Sequence, residues 1–277
     1  MKRVRHLGLL VLLFSVFAAP AARAVAITPV INGNELTAHI EFAGGIAADL
    51  TVTFEQVVGL TPNALSITAS LVDPLDAGLL ARLPSGASIP AAFPVLLEIQ
   101  PTAGSTLTFS GVYKLSLYTH NLTLQAPLRV TRGPSNGPLA DMTGFLEVGS
   151  VRAGGTGPGY SQFLIVLDPR PLDPVIVAKF DGLQGLLTAN AGAMPPAVVA
   201  GLQQQLTAAR NLYDAGDTSG AINAVAAFAS SVKDQSGTAI PNVWQANNPA
   251  VVNVAGLLRS AADTLKFSLT LKSNLGS

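Results

Sequence analysis

Two histidines, His39 and His120, are the side chains beyond residue 24 best suited to proton transfer near neutral pH. His39 lies in ELTAHIEF beside Glu41, and His120 lies in LYTHNL between Tyr118 and Asn121. A zinc site needs three ligands within reach, so these histidines could form one only if the fold brought them together with carboxylates. We expect each to lie on a sheet surface or partly buried with local hydrogen bonds, and we predict no metal and no cofactor.

His120 would be the base if the protein were a hydrolase, because a tyrosine and an asparagine flank it. A nucleophilic serine often sits in a G-x-S-x-G turn, and this motif does not occur in the chain. We therefore predict no catalytic residue and favour a protein that is not an enzyme, with His120 as the catalytic candidate to examine. Tyr118 and Asn121 are candidates for ligand binding.

Two pairs of aspartates are close in sequence, Asp73 with Asp76 and Asp168 with Asp173. Glycoside cleavage needs two carboxyl groups about 5–9 Å apart, which such pairs could supply. Three of these four aspartates precede proline, however, and Asp-Pro is a common turn or helix-capping device. Turns and caps are the interpretation that we favour, and a calcium site in these loops is the alternative.

Aromatic side chains are few, so a sugar-binding platform would have to use a small set of them. Tyr113 and Tyr118 differ in strand parity, which predicts that they face opposite sides of a sheet. Tyr118 could form a patch with Phe109 or with Tyr160, which makes Tyr160 a third ligand-binding candidate. Trp244 lies among predicted helices, and we expect it to fill the interior of a helical bundle.

The region 25–170 alternates apolar and polar residues, which is the pattern of half-buried strands. The segment ELTAHIEF, for example, places Leu36, Ala38, Ile40 and Phe42 on one side. Turn clusters such as RGPSNGP and AGGTGPG separate roughly eight such runs, which favours an antiparallel β-sandwich. One short helix is predicted over 73–84, with Asp73 as its N-cap.

The period changes near the Pro-rich connector 171–174, and the region 175–272 reads as an antiparallel bundle of three to four helices. In YDAGDTSG, Gly216 is predicted to end one helix, and Asp217 or Thr218 to cap the next. The last helix is predicted to begin at Asn248-Pro249. Residues 267–272 fit either the end of that helix or a strand that joins the sheet. The predicted fold class is thus α+β in two parts, a sandwich followed by a bundle.

Residues 1–24 have the pattern of a signal peptide, with basic residues, an apolar run and an Ala-x-Ala ending. Removing their four basic residues from the total of 16 leaves 12 basic against 16 acidic residues, a net charge of −4. This charge and the sparse, mixed distribution argue against nucleic-acid binding. We expect export to the periplasm or the extracellular space, and no membrane span in the mature chain. The absence of cysteine excludes disulfides and a thiol nucleophile.

The segment LQQQLTAARNLYDAGDTSGAINAVAAFASSVKDQSG, followed by LLRSAADTL, resembles the FIMAH-type helical module of secreted bacterial proteins. The insertion TAIPNVWQANNPAVV departs from that module. The whole chain, including IPAAFPVLLEIQP and YSQFLIVLDPRPLD, also resembles a family of exported proteobacterial proteins without an assigned function. These resemblances imply export and a docking or architectural role for the helices, and they supply no catalytic residue.

The sequence therefore predicts an exported, non-catalytic binding or structural module with a protein or glycan partner. Two alternatives stay open, a hydrolase of envelope or extracellular polymers that uses His120 and a glycan-binding protein. The hydrolase requires His120 to lie in a pocket within reach of a carboxylate or hydroxyl group. The glycan-binding protein requires at least two coplanar exposed aromatic rings on one sheet face.

Overall fold

The computed structural model describes residues 24–147 and 151–275. The predicted leader, apart from Ala24, lies outside these described residues. Within them the predicted fold class is confirmed, since two antiparallel sheets precede a set of helices. The strands and first helix are β1 (Ala24–Ile27), β2 (Val30–Asn32), β3 (Glu35–Phe42), β4 (Ile46–Val58), β5 (Leu65–Leu71), α1 (Ala77–Leu80), β6 (Val95–Pro101), β7 (Thr108–Thr119), β8 (Leu128–Gly133), β9 (Ala140–Asp141), β10 (Phe145–Glu147), β11 (Val151–Gly157) and β12 (Gln162–Leu167).

The two sheets pack face to face around one core. One sheet has the strand order β1-β5-β6-β12-β8-β9, and the other has the order β10-β11-β7-β4-β3-β2. In β3 the alternation works as predicted, because Leu36, Ala38, Ile40 and Phe42 are buried while the residues between them are half-buried or exposed. The apolar residues of both sheets form a single cluster in the sandwich interior.

The sandwich has two sides where the sheets end. β1 and β2 follow each other in the chain and are end strands of different sheets, so they mark one side, here called the open side. β9 and β10 likewise mark the opposite side, here called the closed side because the helices contact β11, the neighbour of β10, and Asp141 of β9.

The short helix differs from its prediction. It spans only Ala77–Leu80, and the carboxylate of Asp76 caps it by accepting from Leu79 N at 2.6 Å. The predicted N-cap, Asp73, was wrong because Asp73 O accepts from Asp76 N in a β-turn that precedes the helix. Residues of this segment pack on the outer face of β12, which explains why β12 is buried on both faces.

The C-terminal region contains four α-helices, a 3₁₀ turn and one further strand. In chain order these are α2 (Leu172–Ala189), the 3₁₀ turn (Ala191–Ala193), α3 (Pro196–Asp214), α4 (Thr218–Asp234), β13 (Val243–Gln245) and α5 (Val254–Leu275). Their apolar faces form a second core. Among the described helices, none combines the length and apolar character needed to cross a membrane.

The turn between α3 and α4 confirms its prediction. Gly216 has a φ of +85°, a left-handed conformation that glycine adopts without a steric penalty. Gly216 N donates to Tyr213 O and Asp217 N to Leu212 O, which is the Schellman pattern at a helix end. Asp217 then caps α4 by accepting from Gly220 N at 2.7 Å.

The last helix begins later than predicted, at Val254. Asn253 is its cap, since its side-chain oxygen accepts from Gly256 N at 2.8 Å. The predicted start at Asn248 was wrong because Asn248 O accepts from Val251 N in a local turn. Residues 267–272 are helical, which decides between the two alternatives for that segment.

Trp244 contradicts its prediction, because it does not fill the helical bundle. It lies in β13, which pairs with Thr108–Ser110 of β7 and so adds a strand from the C-terminal region to the sandwich. Its ring stacks on Phe109 at 5.2 Å and meets Tyr160 at 5.1 Å, both part of the sandwich interior. A three-residue strand has too little alternation to be recognised in a sequence.

Candidate functional site

A cleft of about 740 Å³ lies on the open side of the sandwich. One wall is formed by residues of the segment Val25–Val30, which crosses from β1 in one sheet to β2 in the other. The second wall is formed by residues from 37–41 of β3 and 49–51 of β4. Ligand sites in proteins are typically concave spaces of several hundred cubic ångströms, so this cleft has the size of a binding site.

The cleft exists because β2 pairs with only part of β3. The pairing covers Glu35–Thr37, and Val30 is the last partner at that end. Pro29 comes next in the direction of β1 and is buried, and from there the chain continues into β1 of the other sheet. Within the described ranges, residues 38–42 of β3 therefore have a strand partner on the β4 side only.

Three titratable side chains line the cleft, namely His39, Glu41 and Asp49. His39 Nδ1 lies 2.7 Å from Asp49 Oδ1, and His39 Nε2 lies 3.9 Å from Glu41 Oε2. All three side chains are more than half exposed. The imidazole thus lies between two carboxylates, and the cleft wall is acidic when the histidine is neutral.

The pair of His39 and Asp49 is one end of a polar row across five strands of the sheet. Asp49 is the register partner of Tyr118, which is the partner of Arg152, which in turn is the partner of Glu147. The guanidinium carbon of Arg152 lies 4.8 Å from the ring centre of Tyr118, and its Nε lies 3.4 Å from Glu147 Oε2. Such cross-strand pairs are the ordinary means by which a sheet face is stabilised.

Of the four candidates from the sequence, Tyr118 and His120 are in contact, and Asn121 has a different set of partners. His120 is exposed, and its ring meets the edge of Tyr118 at 4.9 Å between ring centres. His120 is not among the residues that line the cleft. Asn121 holds the turn between β3 and β4, since its side chain accepts from Ala47 N and donates to Gly45 O, both at 2.9 Å.

Tyr160 lies apart from this group, in the aromatic interior of the sandwich. Its ring stacks on that of Tyr113 at 5.6 Å, and burial raises its pKa well above the ordinary value. Its hydroxyl group is buried and has no hydrogen-bond partner among the described atoms. Phe109 is likewise buried, so the hypothetical patch of Tyr118 with Phe109 or Tyr160 does not form.

Sequence reasoning missed a buried ionic group on the closed side. Lys179 Nζ lies within hydrogen-bond distance of four oxygen atoms. These are Asp141 Oδ2 at 2.6 Å, Ser268 Oγ at 2.7 Å, Thr264 Oγ1 at 3.0 Å and Thr264 O at 3.1 Å. Burial lowers the pKa of Lys179, and Asp141 opposes that effect. The group joins α2 and α5 to β9. The sequence indicates it only by the position of Lys179 within the apolar stripe of a predicted helix.

A second ion pair joins α5 to the sandwich. Both oxygens of Glu55 accept from Arg259, at 2.6 and 2.7 Å, and Glu55 lies at a β-bulge of β4. Partial burial acts to raise the pKa of Glu55, but the hydrogen bonds and charge of Arg259 outweigh it, so the pKa is lowered. Together with Lys233 and Ser110 the pair lines a smaller cleft of about 360 Å³.

No group of three or more His, Cys, Asp or Glu side chains within the described ranges is arranged to hold a metal ion. In the larger cleft, His39, Glu41 and Asp49 supply groups for hydrogen bonds and ion pairs. Its polar wall faces an apolar wall that contains Val25 and Ile27. This combination is suited to binding a ligand with both apolar and cationic groups.

Residues 9–272 match the model of a family described as a family of unknown function (DUF6689). Since the match spans nearly the whole chain, the chain belongs to this family. Searches of curated proteins and of solved structures returned no match.

Proposed function

We propose that this chain is an exported, non-catalytic binding protein and that its partner docks in the cleft on the open side. The observation that carries the proposal is the cleft itself, with an apolar wall on one side and Glu41 and Asp49 on the other. Its charged side chains are exposed and available to a partner. The predicted catalytic candidate, His120, lies outside the lining, which is why we favour binding over hydrolysis.

In this proposal the leader supplies export and the helices supply the scaffold. The signal-peptide pattern of residues 1–24 supports passage through the secretory pathway to the periplasm or the medium. The C-terminal region, which resembles the FIMAH-type module, covers the closed side and leaves the open side accessible. Its role is then architectural, and the partner is a protein or a glycan.

Export is tested by expressing the tagged full-length chain in a Gram-negative bacterium and separating periplasm, medium and cytoplasm. We expect the protein outside the cytoplasm with Val25 as its first residue, because Ala22-x-Ala24 is the predicted cleavage signal. An intact leader on a cytoplasmic protein would contradict the export half of the proposal. Deletion of residues 2–24 is the control and should keep the chain inside.

Binding at the cleft is tested with peptide and glycan arrays. The double variant Glu41→Lys/Asp49→Lys reverses both acidic side chains of the cleft and should lose the binding shown by the wild type. The control, Asp181→Lys/Asp234→Lys, makes the same change of charge at exposed helical positions and should bind normally. Equal binding by the cleft variant, or no binding by the wild type, would contradict the proposal. A signal on glycans alone would identify a glycan as the partner.

A further inference from the structure

The free edge of β3 offers more than charged side chains. In an antiparallel sheet, the backbone N–H and C=O groups of alternate residues point to opposite sides of a strand. Every second residue in 38–42 therefore directs these groups away from β4, toward the cleft. Among the described residues no strand pairs with them there, because the ladder with β2 ends at Val30.

We infer that this edge is a strand-addition site, which takes an extended polypeptide segment of alternating apolar and basic residues as an extra strand beside β3. The inference rests on the proposed function and names the class of partner. Strand addition gives affinity through backbone hydrogen bonds and specificity through contacts of alternate side chains. The free edge of β3 supplies the backbone hydrogen bonds, and the two walls of the cleft supply the side-chain contacts.

The apolar half of the alternation follows from the wall made by Val25 and Ile27, which share one face of β1. Val25 is 40% exposed and is one of the large apolar side chains that the described residues leave exposed, and Ile27 is half-buried. Both line this cleft. A strand laid along β3 would cover them with every second side chain.

The basic half follows from the opposite wall. His39 and Glu41 are successive outward residues of β3, and Asp49 is the partner of His39 on β4. An added strand directs its remaining side chains to this outer face, where lysine or arginine would meet Glu41 and Asp49. A carboxylate at those positions would be repelled, so the charge of the wall selects a cationic segment.

The probe for this inference is a synthetic peptide of about ten residues that alternates valine and lysine, long enough to span the free edge. One control peptide replaces lysine with glutamate. The other keeps the valine-lysine sequence but carries N-methyl groups on alternate backbone nitrogens, which removes hydrogen-bond donors without changing charge. Binding is measured by titration, and hydrogen exchange of the backbone amides of 38–42 is followed by NMR.

We expect the valine-lysine peptide to bind and to slow exchange at the cleft-facing amides of β3 by about tenfold or more, because paired amides exchange only on local opening. The glutamate and N-methylated peptides should bind at least about tenfold more weakly. Glu41→Lys should weaken binding, and the matched variant Asp234→Lys should not. Circular dichroism confirms that both variants are folded.

Different results separate this inference from the proposed function. If the N-methylated peptide binds equally well, or exchange in β3 is unchanged on binding, strand addition is wrong even though the cleft binds. Absence of binding by the valine-lysine peptide likewise overturns it. Binding that is indifferent to Glu41→Lys would locate the peptide elsewhere and contradict both proposals. Protection of the same amides in a dimer without peptide would identify a second copy as the occupant and overturn the inference.

Discussion

The ion pairs on the two sides of the sandwich differ in their exposure to solvent. On the closed side, Lys179 and Asp141 form a pair whose side chains are 12% and 5% exposed, enclosed by hydroxyl groups of α5. On the open side, His39 and Asp49 form a pair that is 60% and 59% exposed and lines the cleft. The distances are nearly the same, 2.6 and 2.7 Å.

The difference teaches that a short ion-pair distance alone does not reveal a pair's role. Removing one partner of a buried pair strands the other charge in a medium of low polarity, which is strongly destabilising. Exposed pairs contribute little to stability because water solvates both members. The buried ion pair on the closed side therefore stabilises the fold. On the open side, the exposed charged groups can instead pair with charged groups of a partner.

The largest expected effect is at the closed side. Lys179→Ala should lower the free energy of unfolding by about 3–5 kcal/mol, because Asp141 loses its buried partner. Urea denaturation monitored by circular dichroism measures the change. Lys272→Ala removes a lysine whose partner, Asp173, is exposed, and it should change stability by less than about 1 kcal/mol. Equal losses in the two variants would mean that burial does not distinguish them.

The double variant Lys179→Met/Asp141→Leu sharpens the same test. It replaces both members of the pair by apolar side chains, so neither Lys179 nor Asp141 is left as an unpaired charge, although the buried Arg129, 6% exposed, loses a carboxylate 3.9 Å away. We expect it to be more stable than Lys179→Ala alone. A double variant less stable than the single one would show that Asp141 is needed chiefly by its other neighbours, Thr143 and Arg129.

Trp244→Ala should have the next largest effect, about 2 kcal/mol, since the half-buried ring covers Phe109 and Tyr160. The same denaturation measurement applies. Trp244→Phe keeps part of the stacked ring and should recover much of the loss. If Trp244→Ala left the stability of the protein unchanged, the strand β13 would not contribute to the sandwich interior.

The ion pair of Glu55 with Arg259 gives a smaller effect that depends on pH. Folding lowers the pKa of Glu55, so the pair adds stability above the ordinary carboxyl pKa, and this contribution is lost as the pH falls through the lowered value. Wild type should thus exceed Glu55→Gln in stability at neutral pH, and the gap should shrink on acidification below about pH 4. A gap that is constant from neutral to acid pH would contradict this account.

The smallest stability effect is expected at the open side. His39→Ala should change the free energy of unfolding by less than about 1 kcal/mol, because the pair with Asp49 is exposed. Thermal or urea unfolding provides the value. A loss comparable with that of Lys179→Ala would remove the distinction between the two sides and make His39 a structural residue.

Local patterns predicted much of the fold, and long-range pairing accounts for the rest. The alternation in β3 and the turn at Gly216 and Asp217 depend on neighbouring residues, and both were read correctly. The caps Asp76 and Asn253 were missed because Asp73 and Asn248 carry equally good local signals but are used in preceding turns. Such competition is decided by tertiary packing.

The candidate site was less predictable than the fold. The alternation placed His39 and Glu41 outside the core, but their cleft depends on where β2 stops pairing with β3. The sequence marks that point only by Pro29. Lys179 was visible within an apolar stripe, yet its partner Asp141 lies 38 positions away, and nothing local connects them.

The strand β13 has a consequence for the order in which the protein is completed. β7 ends at residue 119, and its segment Thr108–Ser110 pairs with β4 on one side, but it obtains its second partner only at residues 243–245, after α2, α3 and α4 have been made. During synthesis from the N-terminus, Phe109 therefore lacks the cover of Trp244 until nearly nine-tenths of the chain exists. β13 can thus join the sandwich only after these helices have been synthesised. A chain interrupted before residue 243 leaves an aromatic surface exposed, which favours aggregation.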